Sequence, residues 1–527
     1  MAKSASQTPL MRQYLEWKNR YADAVLLFRL GDFYEMFYED AVKVSAALDL
    51  TLTTRDKNKK DPVPMCGIPH HTKDSYVSRL VEKGYKVAVC EQMEEPSSGK
   101  GIVRREVTRV ITPGVILDLE HLDARAANYL AAVWVGEMPE RISEEEGGDP
   151  DRGATEAAST RAYGLALVDA STGEFRITCV EGVEALLDEL ARSRPRQLLF
   201  PEGQGAALEN RLSEPKPLTE EVPTERFFLE GHKGLERVAS GSGETVENLS
   251  FIPQDAVPAA AAVLLYLEET LLHQDLPPLR VLPYQRSDFM VLDEATLANL
   301  EVFETLMEGR KEGSLLGVMD ETVTPMGGRL LRAALAFPLQ DFQQIERRQD
   351  AVSQFLEAPA GREAVRKILK EIHDLERLGR RVGHGVASPK DLAALRRSLE
   401  RMPTLAAALQ ECRPLTEAMA SARDLSLLDI SGDLLVDVAE RIAAALVDDP
   451  PATLKDGGVI RRGYHAELDE LVDASRGGRD RILAIEERER KRTGISSLKV
   501  KFNKVFGYYI EVTKANLSDV PDDYTRK

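Results

Sequence analysis

Apolar residues near the start of the chain follow two different periods. Residues 24–30 form a short, largely apolar run that is typical of a buried strand, and Gly31-Asp32 after it is typical of a turn. Apolar residues then recur at positions 37, 41, 44 and 48, the spacing of one buried helix face. The pattern predicts a helix that begins near Phe33, with Phe37 in the core and with Phe33 and Glu35 in the first turn, at the edge of the fold. From spacing alone, Phe33 could be a packed ring or an exposed functional ring, and the helix dipole by itself would favour Glu35.

Strands and helices continue to alternate up to about residue 112. Thr8-Pro9 is a capping residue followed by proline at the first helical position, which predicts a helix through Tyr21. Residues 55–64 form a basic loop. The other predicted elements are a strand at 50–54, a helix at 75–83 that ends at Gly84, and a strand at 86–92. Together they predict a small mixed α/β domain over residues 1–113.

A second α/β domain is predicted at residues 128–247, after a linker at 114–127. Strands are predicted at 127–135, 162–169 and 175–180, joined by hairpin turns, and a further strand is predicted at 197–200 after a helix at 184–192. Asp169 ends a strand and precedes a Ser-Thr-Gly hairpin, which is where a ribonuclease H-like nuclease would hold a metal ligand. A two-metal site needs several converging carboxylates. The sequence does not identify the others, so a nuclease remains an alternative and no metal site is assigned.

Helical spacing dominates from about residue 248. The predicted helices lie at 258–273, 293–306, 329–337, 344–356, 372–379, 389–409 and 434–446. Residues 465–492 predict one long helix of roughly 40 Å at 1.5 Å per residue, which Gly477-Gly478 would weaken or bend. A hairpin follows, with Leu498, Val500 and Phe502 on the face that can pack. We assign residues 248–485 to a helical core and lever domain and residues 486–527 to an incomplete, β-rich domain at its tip.

The net charge of −18 would ordinarily argue against a nucleic-acid partner, but the charges are segregated along the chain. Residues 491–514 hold six basic side chains against Glu511, and residues 55–60 hold four against Asp56. Residues 137–160 hold eight acids and two arginines, which predicts an acidic surface insertion. The four cysteines have no metal-ligand spacing, and no stretch approaches a membrane span. We therefore expect a reducing, cytoplasmic location and no membrane partner.

The turn motif Gly31-Asp32-Phe33-Tyr34-Glu35-Met36-Phe37 resembles the mismatch-reading motif Gly-Asp-Phe-Tyr-Glu-x-Phe of the MutS family of DNA mismatch repair proteins. Further blocks that resemble the family follow in the family's order over nearly the whole chain. They are residues 64–71 (PMCGIPHH), 89–92 (VCEQ), 110–114 (VITPG), 322–328 (TVTPMGG) and 502–510 (FNKVFGYYI).

The resemblance implies a mismatch-binding domain, a non-catalytic connector, a helical lever and a clamp. It implies that Phe33 inserts at a mispair in double-stranded DNA, that Glu35 hydrogen-bonds a base there, and that clamp residues contact the DNA backbone. The clamp candidates are Lys499, Lys501, Asn503 and Lys504. Weaker candidates for support near the groove are Arg55, Lys57 and Met65, which lie in the same predicted domain as the motif.

The chain contains no Gly-x4-Gly-Lys-Ser/Thr phosphate loop. In the family that the chain resembles, the C-terminal domain binds ATP and Mg²⁺ and supplies most dimer contacts. We therefore expect an N-terminal portion that is not an enzyme, has no cofactor of its own and is monomeric or weakly associating. The full-length protein would be a homodimer with a MutL-type partner. The alternatives are the Asp169 nuclease, a relative outside repair, which would lack the Phe-x-Glu pair, and an inactive scaffold.

Overall fold

The computed structural model has two compact units, residues 1–439 and 440–527, which are described separately. The described residues are 8–55, 62–93, 103–136, 161–213, 215–228, 252–272, 278–412, 430, 432–503, 507–521 and 523–525. Among these residues, no helix is long and apolar enough to cross a membrane.

The first sheet has six strands in the order β3-β4-β2-β1-β5-β6. Its strands are β1 (Val25–Leu30), β2 (Phe33–Phe37), β3 (Thr53–Arg55), β4 (Val63–Pro69), β5 (Val87–Gln92) and β6 (Arg105–Ile111). Its helices are α1 (Pro9–Arg20), α2 (Tyr38–Leu48) and α3 (Lys73–Glu82). Only β1 and β5 pair in parallel, so the sheet is mixed, as the sequence predicted.

Two apolar clusters cover the two faces of this sheet. One cluster joins α1 to Phe28 and Phe37, and the other joins α2 and α3 to Tyr34 and Met36. Thr8 caps α1 by accepting a hydrogen bond from the Met11 amide, as predicted. Phe37 is 1% exposed, which confirms its predicted place in the core.

The predicted helix start near Phe33 is wrong. Residues Phe33–Phe37 form β2, and the helix begins at Tyr38. The strand pairs with β1 on one side and with β4 on the other, so its backbone hydrogen bonds are made to neighbouring strands rather than within a helix. Burial alternates over Phe33–Met36 with the period of two that a strand imposes. Of the four apolar positions predicted for the helix face, Ala41, Val44 and Leu48 lie in the helix and are buried there.

The second sheet also has six strands, in the order β11-β10-β7-β8-β9-β12. Its strands are β7 (Leu130–Val135), β8 (Ala162–Asp169), β9 (Glu174–Glu181), β10 (Gln197–Pro201), β11 (Leu218–Val222) and β12 (Arg280–Pro283). Its helices are α4 (Val183–Ser193), α5 (Gly205–Glu209) and α6 (Val257–Leu271). Because α6 packs on one face and α4 on the other, the central strands β7–β10 are largely buried on both sides.

The rest of the first unit is helical. Its helices are α7 (Glu294–Asn299), α8 (Leu315–Met319), α9 (Pro325–Ala336), α10 (Phe342–Glu357), α11 (Pro359–Leu369), α12 (Leu375–Gly383) and α13 (Pro389–Glu411), and α14 (Val436–Ala445) contains the boundary between the units. The helix predicted at 293–306 is shorter because the chain leaves it at Leu300 and Glu301 takes a φ of +48°. The sequence prediction missed α11, in which Pro359 occupies the first turn, where proline is tolerated.

Residues 117–126 connect the two sheets and are held by arginines of the helical region. Arg377 donates hydrogen bonds to two carbonyl oxygens of this segment, and Arg329 and Arg381 donate to one each. The accepting carbonyls, at 2.9–3.0 Å, belong to Leu117, Asp123, Ala124 and Ala126. The linker between the sheets is therefore fixed by side chains that come from more than 200 residues later in the chain.

The second unit contains the predicted long helix and hairpin. Helix α15 (Ala466–Thr493) has 28 residues, which corresponds to about 42 Å, and it continues through Gly477-Gly478 without a break. It ends at Gly494, whose φ of +71° is the left-handed conformation common after a helix. Strands β13 (Lys499–Asn503) and β14 (Gly507–Glu511) then pair antiparallel.

Candidate nucleic-acid interface

The turn between β1 and β2 brings an aromatic ring to the surface. Leu30 pairs with Phe33, so Gly31 and Asp32 form a two-residue hairpin loop. Gly31 has a φ of +60°, and a positive φ at the first loop position is favourable for glycine and unfavourable for other residues. Phe33 comes directly after this turn and is 49% exposed. A large exposed ring at the end of a rigid strand is available to a ligand.

Glu35 lies on the same face of β2 as Phe33, because side chains two residues apart on a strand point the same way. Tyr34 and Met36 point to the opposite face and are fully buried. Glu35 is half-buried, and burial raises the pKa of its carboxyl group, with Arg55 opposing this rise. At a given pH, Glu35 is therefore protonated more often than a glutamate at an ordinary surface position.

The neighbouring strands place two further predicted residues on this face. Phe37 pairs with Met65 of β4, and Arg55 of β3 lies with its guanidinium carbon 5.5 Å from the centre of the Phe37 ring. Phe33, Glu35, Arg55 and Met65 therefore share one side of the sheet. Their sequence separation of up to 32 residues is closed by the β2-β4-β3 pairing.

Gly67 lies opposite Glu35 in β4 and is exposed. A Cβ atom on Gly67 would lie 3.3 Å from the Tyr34 carbonyl oxygen and 3.6 Å from Cγ of Glu35. Glycine within a strand is typical of a place where another backbone or a ligand approaches closely. Gly67 is not among the predicted site residues, although a glycine between the apolar residues Cys66 and Ile68 was the available signal.

Side chains below the hairpin hold its tip in place. The His70 amide donates to the Asp32 carbonyl oxygen at 2.8 Å, and the His70 ring stacks on Tyr34 at 5.7 Å between centroids. The Tyr34 hydroxyl donates to the carboxylate of Glu91. Because the tip is held from beneath, Phe33 is presented by a rigid support rather than by a mobile loop.

The hairpin of the second unit carries the predicted clamp residues. Lys499 and Lys501 lie on one face and are exposed, and Lys501 forms an ion pair with Glu511 at 2.6 Å. On the other face, Leu498 is fully buried as expected, but Phe502 is 61% exposed and contacts the exposed Tyr508. On the predicted packing face, Leu498 is therefore covered by the rest of the unit, whereas Phe502 is not.

Several predicted residues lie outside the described residues. The backbone of Asn503 pairs with Gly507, but its side chain is not described. Lys57, Lys504 and the acidic tract 137–160 lie entirely outside the described residues.

Asp169 is used structurally. It is fully buried, and its carboxylate accepts hydrogen bonds from the Asn128 amide at 3.0 Å and from the amide and hydroxyl of Ser171 at 2.9 and 2.6 Å. The group of potential metal ligands found among the described residues, Asp74, Asp118 and His121, does not include it. The nuclease alternative is therefore not favoured.

Sequence models of three consecutive domains match this chain: MutS domain I over residues 8–120, MutS domain II over 151–280 and MutS domain III over 295–510. The chain belongs to the MutS family. The predicted resemblance is thereby confirmed.

Curated MutS relatives match almost the whole chain. Proteins named DNA mismatch repair protein MutS from Myxococcus xanthus and Syntrophobacter fumaroxidans are 44% and 42% identical over 99% of this chain. One with the same name from Methanothrix thermoacetophila is 44% identical, again over 99% of the chain. The chain spans about 55% of the length of these MutS relatives.

Proposed function

We propose that this chain is the mismatch-reading part of a DNA mismatch repair protein. In this proposal it binds double-stranded DNA that contains a mispair or a small loop. Phe33 inserts at the mispair, Glu35 hydrogen-bonds a base, and the lysines of the second unit contact the backbone. The observation that carries the proposal is the half-exposed Phe33 ring with Glu35 on the same face of a rigid strand.

The physical basis of discrimination is the cost of deforming DNA. An aromatic wedge unstacks a base step and kinks the duplex, which costs a few kcal/mol. A mispaired or looped step is less well paired and stacked, so the same deformation costs less there. Phe33 suits this task in any sequence because every base offers a face for stacking.

Glu35 contributes by charge and by hydrogen bonding. Ionised, it accepts from a base N–H and is repelled by backbone phosphates. Protonated, it donates to a base acceptor such as a purine N7. Its raised pKa makes the second state accessible. The repulsion between ionised Glu35 and the phosphates weakens binding to fully paired DNA, because paired DNA offers no base hydrogen bond to Glu35 that would compensate for it.

The other candidate residues are proposed to contact DNA near the groove or along the backbone. Arg55 lies on the Phe33 face and brings a positive charge toward a phosphate, while Met65 offers an adaptable apolar contact. Lys57 remains a proposed contact because it lies in the basic loop of the same domain, and Asn503 and Lys504 remain proposed contacts because they lie in the 502–510 block.

The family resemblance found in the sequence motifs implies that the whole protein would couple mismatch binding to ATP and Mg²⁺ in a further domain. It would act as a homodimer with a MutL-type partner. The proposed division of this chain is a mismatch-binding domain (1–113), a linker (114–127), a connector (128–247), a lever (248–485) and a clamp (486–527). Helix α6 and strand β12 belong to the second sheet and its packing layer, so that sheet extends past residue 247 to Pro283.

Binding to two short duplexes tests the central proposal. One duplex carries a single G·T mismatch or an unpaired T, and the other is fully paired and otherwise identical. We expect tighter binding to the first at low and moderate salt, measured by fluorescence anisotropy. Equal binding to both duplexes at every salt concentration would contradict the proposal for this chain.

We predict that Glu35→Gln increases binding to the paired duplex at pH 7.5 by roughly threefold to tenfold, since one phosphate repulsion of about 1 kcal/mol is lost. Because burial raises the pKa of Glu35, wild-type binding to paired DNA should strengthen as the pH falls toward 5.5, whereas the variant should show a flatter profile. Anisotropy at several pH values measures both effects. Glu39→Gln, a more exposed carboxylate on α2 of the same domain, is the control and should leave both unchanged.

The raised pKa of Glu35 also makes the folding stability depend on pH. The fold favours protonated Glu35, so the stability that this group contributes is present below its unfolded pKa and is lost as the pH rises through the raised folded value. Glu35→Gln should therefore not destabilise the protein at neutral pH. A clear loss of stability in this variant would contradict the assignment of the raised pKa to burial.

We predict that Lys499→Gln lowers the slope of log K against log salt concentration by about 0.9, the value for one phosphate contact. Lys501→Gln should lower it less, because Glu511 already neutralises part of that charge. Both changes should act equally on paired and mismatched DNA. Salt titrations measure the slopes, with Lys43→Gln on α2 as the control. A loss of mismatch preference in Lys499→Gln would contradict a pure backbone role.

A further inference from the structure

A large cavity in the first unit is lined by more basic than acidic side chains. Its volume is about 1140 Å³, and it is lined by the end of α3, the connection between α4 and β10, and helix α9. Among the cationic residues of the lining are Lys83, Arg176, Arg192, Arg194, Arg196, Arg280, Arg329 and Arg332. Nothing in the proposed mismatch reading uses this cavity, since Phe33 and Glu35 are not part of its wall.

The ring of Phe303 supports two arginines at one corner of the cavity. This ring is buried, and two guanidinium carbons lie over it, that of Arg332 at 4.7 Å and that of Arg194 at 5.4 Å from its centre. Stacking on an aromatic face holds a guanidinium plane in place while its N–H groups at the edge stay available to an acceptor. The corner therefore presents two pre-oriented donor groups.

The backbone places a third arginine, Arg196, in the same cavity wall. Arg194 ends α4 with a φ of +46°, a left-handed conformation that an arginine adopts only with strain. Its amide donates to the Leu190 carbonyl oxygen, and two residues later the Arg196 amide donates to the Tyr129 carbonyl oxygen. The chain is thus turned and anchored so that Arg194 and Arg196 both line the cavity.

The charge at this corner is incompletely neutralised. Glu304 pairs with Arg194 at 2.7 Å, but among the described residues no carboxylate forms an ion pair with Arg196 or Arg332. Burial, then Arg194, lowers the pKa of Arg332, and Arg196 acts in the same direction, while Asp123 and Glu304 oppose them. Arg194 and Arg332 are held over one ring, with Arg196 in the same cavity wall, and a bound anion would relieve the repulsion between these cations.

The acids elsewhere in the wall do not cancel this excess. Glu376 is held by Arg329 at 2.7 Å, and Glu294 accepts a hydrogen bond from Ser213. Burial raises the pKa of Glu174, which disfavours its charged form. Asp123 and Glu304 are the carboxylates that act on Arg332, so an anion in the corner would compete with these two for the guanidinium groups.

We propose that the Arg194–Arg196–Arg332 corner binds an oligophosphate anion, the chemistry of a di- or triphosphate group. Guanidinium forks match phosphate oxygens in pairs, and several forks at one corner suit several linked phosphates better than one carboxylate. The cavity is large enough for a ligand of nucleotide size. Because Arg332 comes from α9 and the other two arginines come from the sheet domain, the anion would also tie these two parts together.

Calorimetric titration of the whole chain with inorganic tripolyphosphate at 0.15 M salt tests the proposal. We expect one site per chain, binding weakened at least tenfold in Arg196→Gln/Arg332→Gln, and no change in Arg348→Gln, an exposed arginine outside the cavity. Arg196→Gln alone should weaken binding about threefold or more, and since Arg196 is exposed this variant should keep the fold. Parallel titrations with ATP distinguish a free oligophosphate from a nucleotide as the ligand. If ATP and tripolyphosphate bind with equal affinity, the phosphate chain alone is recognised. If ATP binds more tightly than tripolyphosphate, a nucleotide is recognised.

Two outcomes would overturn the proposal. One is the absence of saturable tripolyphosphate binding to the wild-type chain. The other is equal weakening in Arg348→Gln, which would show general attraction of polyanions to positive charge. Phe33→Ala should bind tripolyphosphate as the wild type does, so a failure of the mismatch proposal would leave this result unaffected.

Discussion

The Phe33→Ala variant is expected to bind mismatched and paired duplexes with nearly equal affinity. In the proposed mechanism the Phe33 ring is the wedge that deforms the DNA, so its removal would take away the deformation cost that differs between the two duplexes. Base stacking on an aromatic ring contributes about 1–3 kcal/mol, which corresponds to roughly fivefold to more than a hundredfold in mismatch affinity. The proposed backbone contacts of Lys499 and Lys501 do not involve Phe33, so weak, salt-sensitive binding to both duplexes is expected to remain.

Anisotropy with both duplexes measures this change, and thermal unfolding measures its cost to the fold. Because Phe33 is half exposed, its truncation should leave the unfolding temperature almost unchanged. Val42→Ala is the matched control, since Val42 is 48% exposed but lies on α2, which covers the other face of the sheet. If Phe33→Ala keeps the full mismatch preference, the ring is not the wedge. A large drop in stability would mean that it acts as a core residue.

The Arg329→Met variant is expected to lose about 3–5 kcal/mol of stability in the first unit, the usual cost of removing one partner from a buried ion pair. Arg329 is buried and its guanidinium meets both oxygens of Asp374, at 2.6 and 2.8 Å, and one oxygen of Glu376 at 2.7 Å. It also donates to the Ala124 carbonyl oxygen in the linker between the sheets. Methionine fills similar space but leaves two carboxylates and a carbonyl without this donor.

Hydrogen exchange of the linker and of α9 is the suitable measurement, because a chain with several domains need not unfold in one step. Faster exchange should be concentrated at residues 117–126 and at α9. Adding Asp374→Asn and Glu376→Gln to Arg329→Met should recover part of the loss, since the unpaired charges are removed. Arg348→Met on exposed α10 is the control. A loss below about 1 kcal/mol would show that water replaces the guanidinium at little cost.

Local signals in the sequence were sufficient for much of the architecture. The Thr8-Pro9 start of α1, the buried runs of β5, β8 and β10, and the length of α15 were predicted closely, because each depends on neighbours a few residues away. The motif blocks alone indicated the family, since their order along the chain is independent of any contact. Phe37 was placed in the core correctly for the same local reason.

Tertiary structure decided what local periodicity left open. Residues 33–37 fit either the start of a helix or a short strand, and pairing with β1 and with β4, about 30 residues later, makes them a strand. That pairing also places Arg55 and Met65 beside Glu35 and leaves Gly67 open opposite it. The arginine corner joins residues 194, 196 and 332, whose spacing carries no periodic signal. The sequence by itself determined the elements and the family, while only packing between distant segments decided which side chains share a surface, because no local pattern encodes which segments meet.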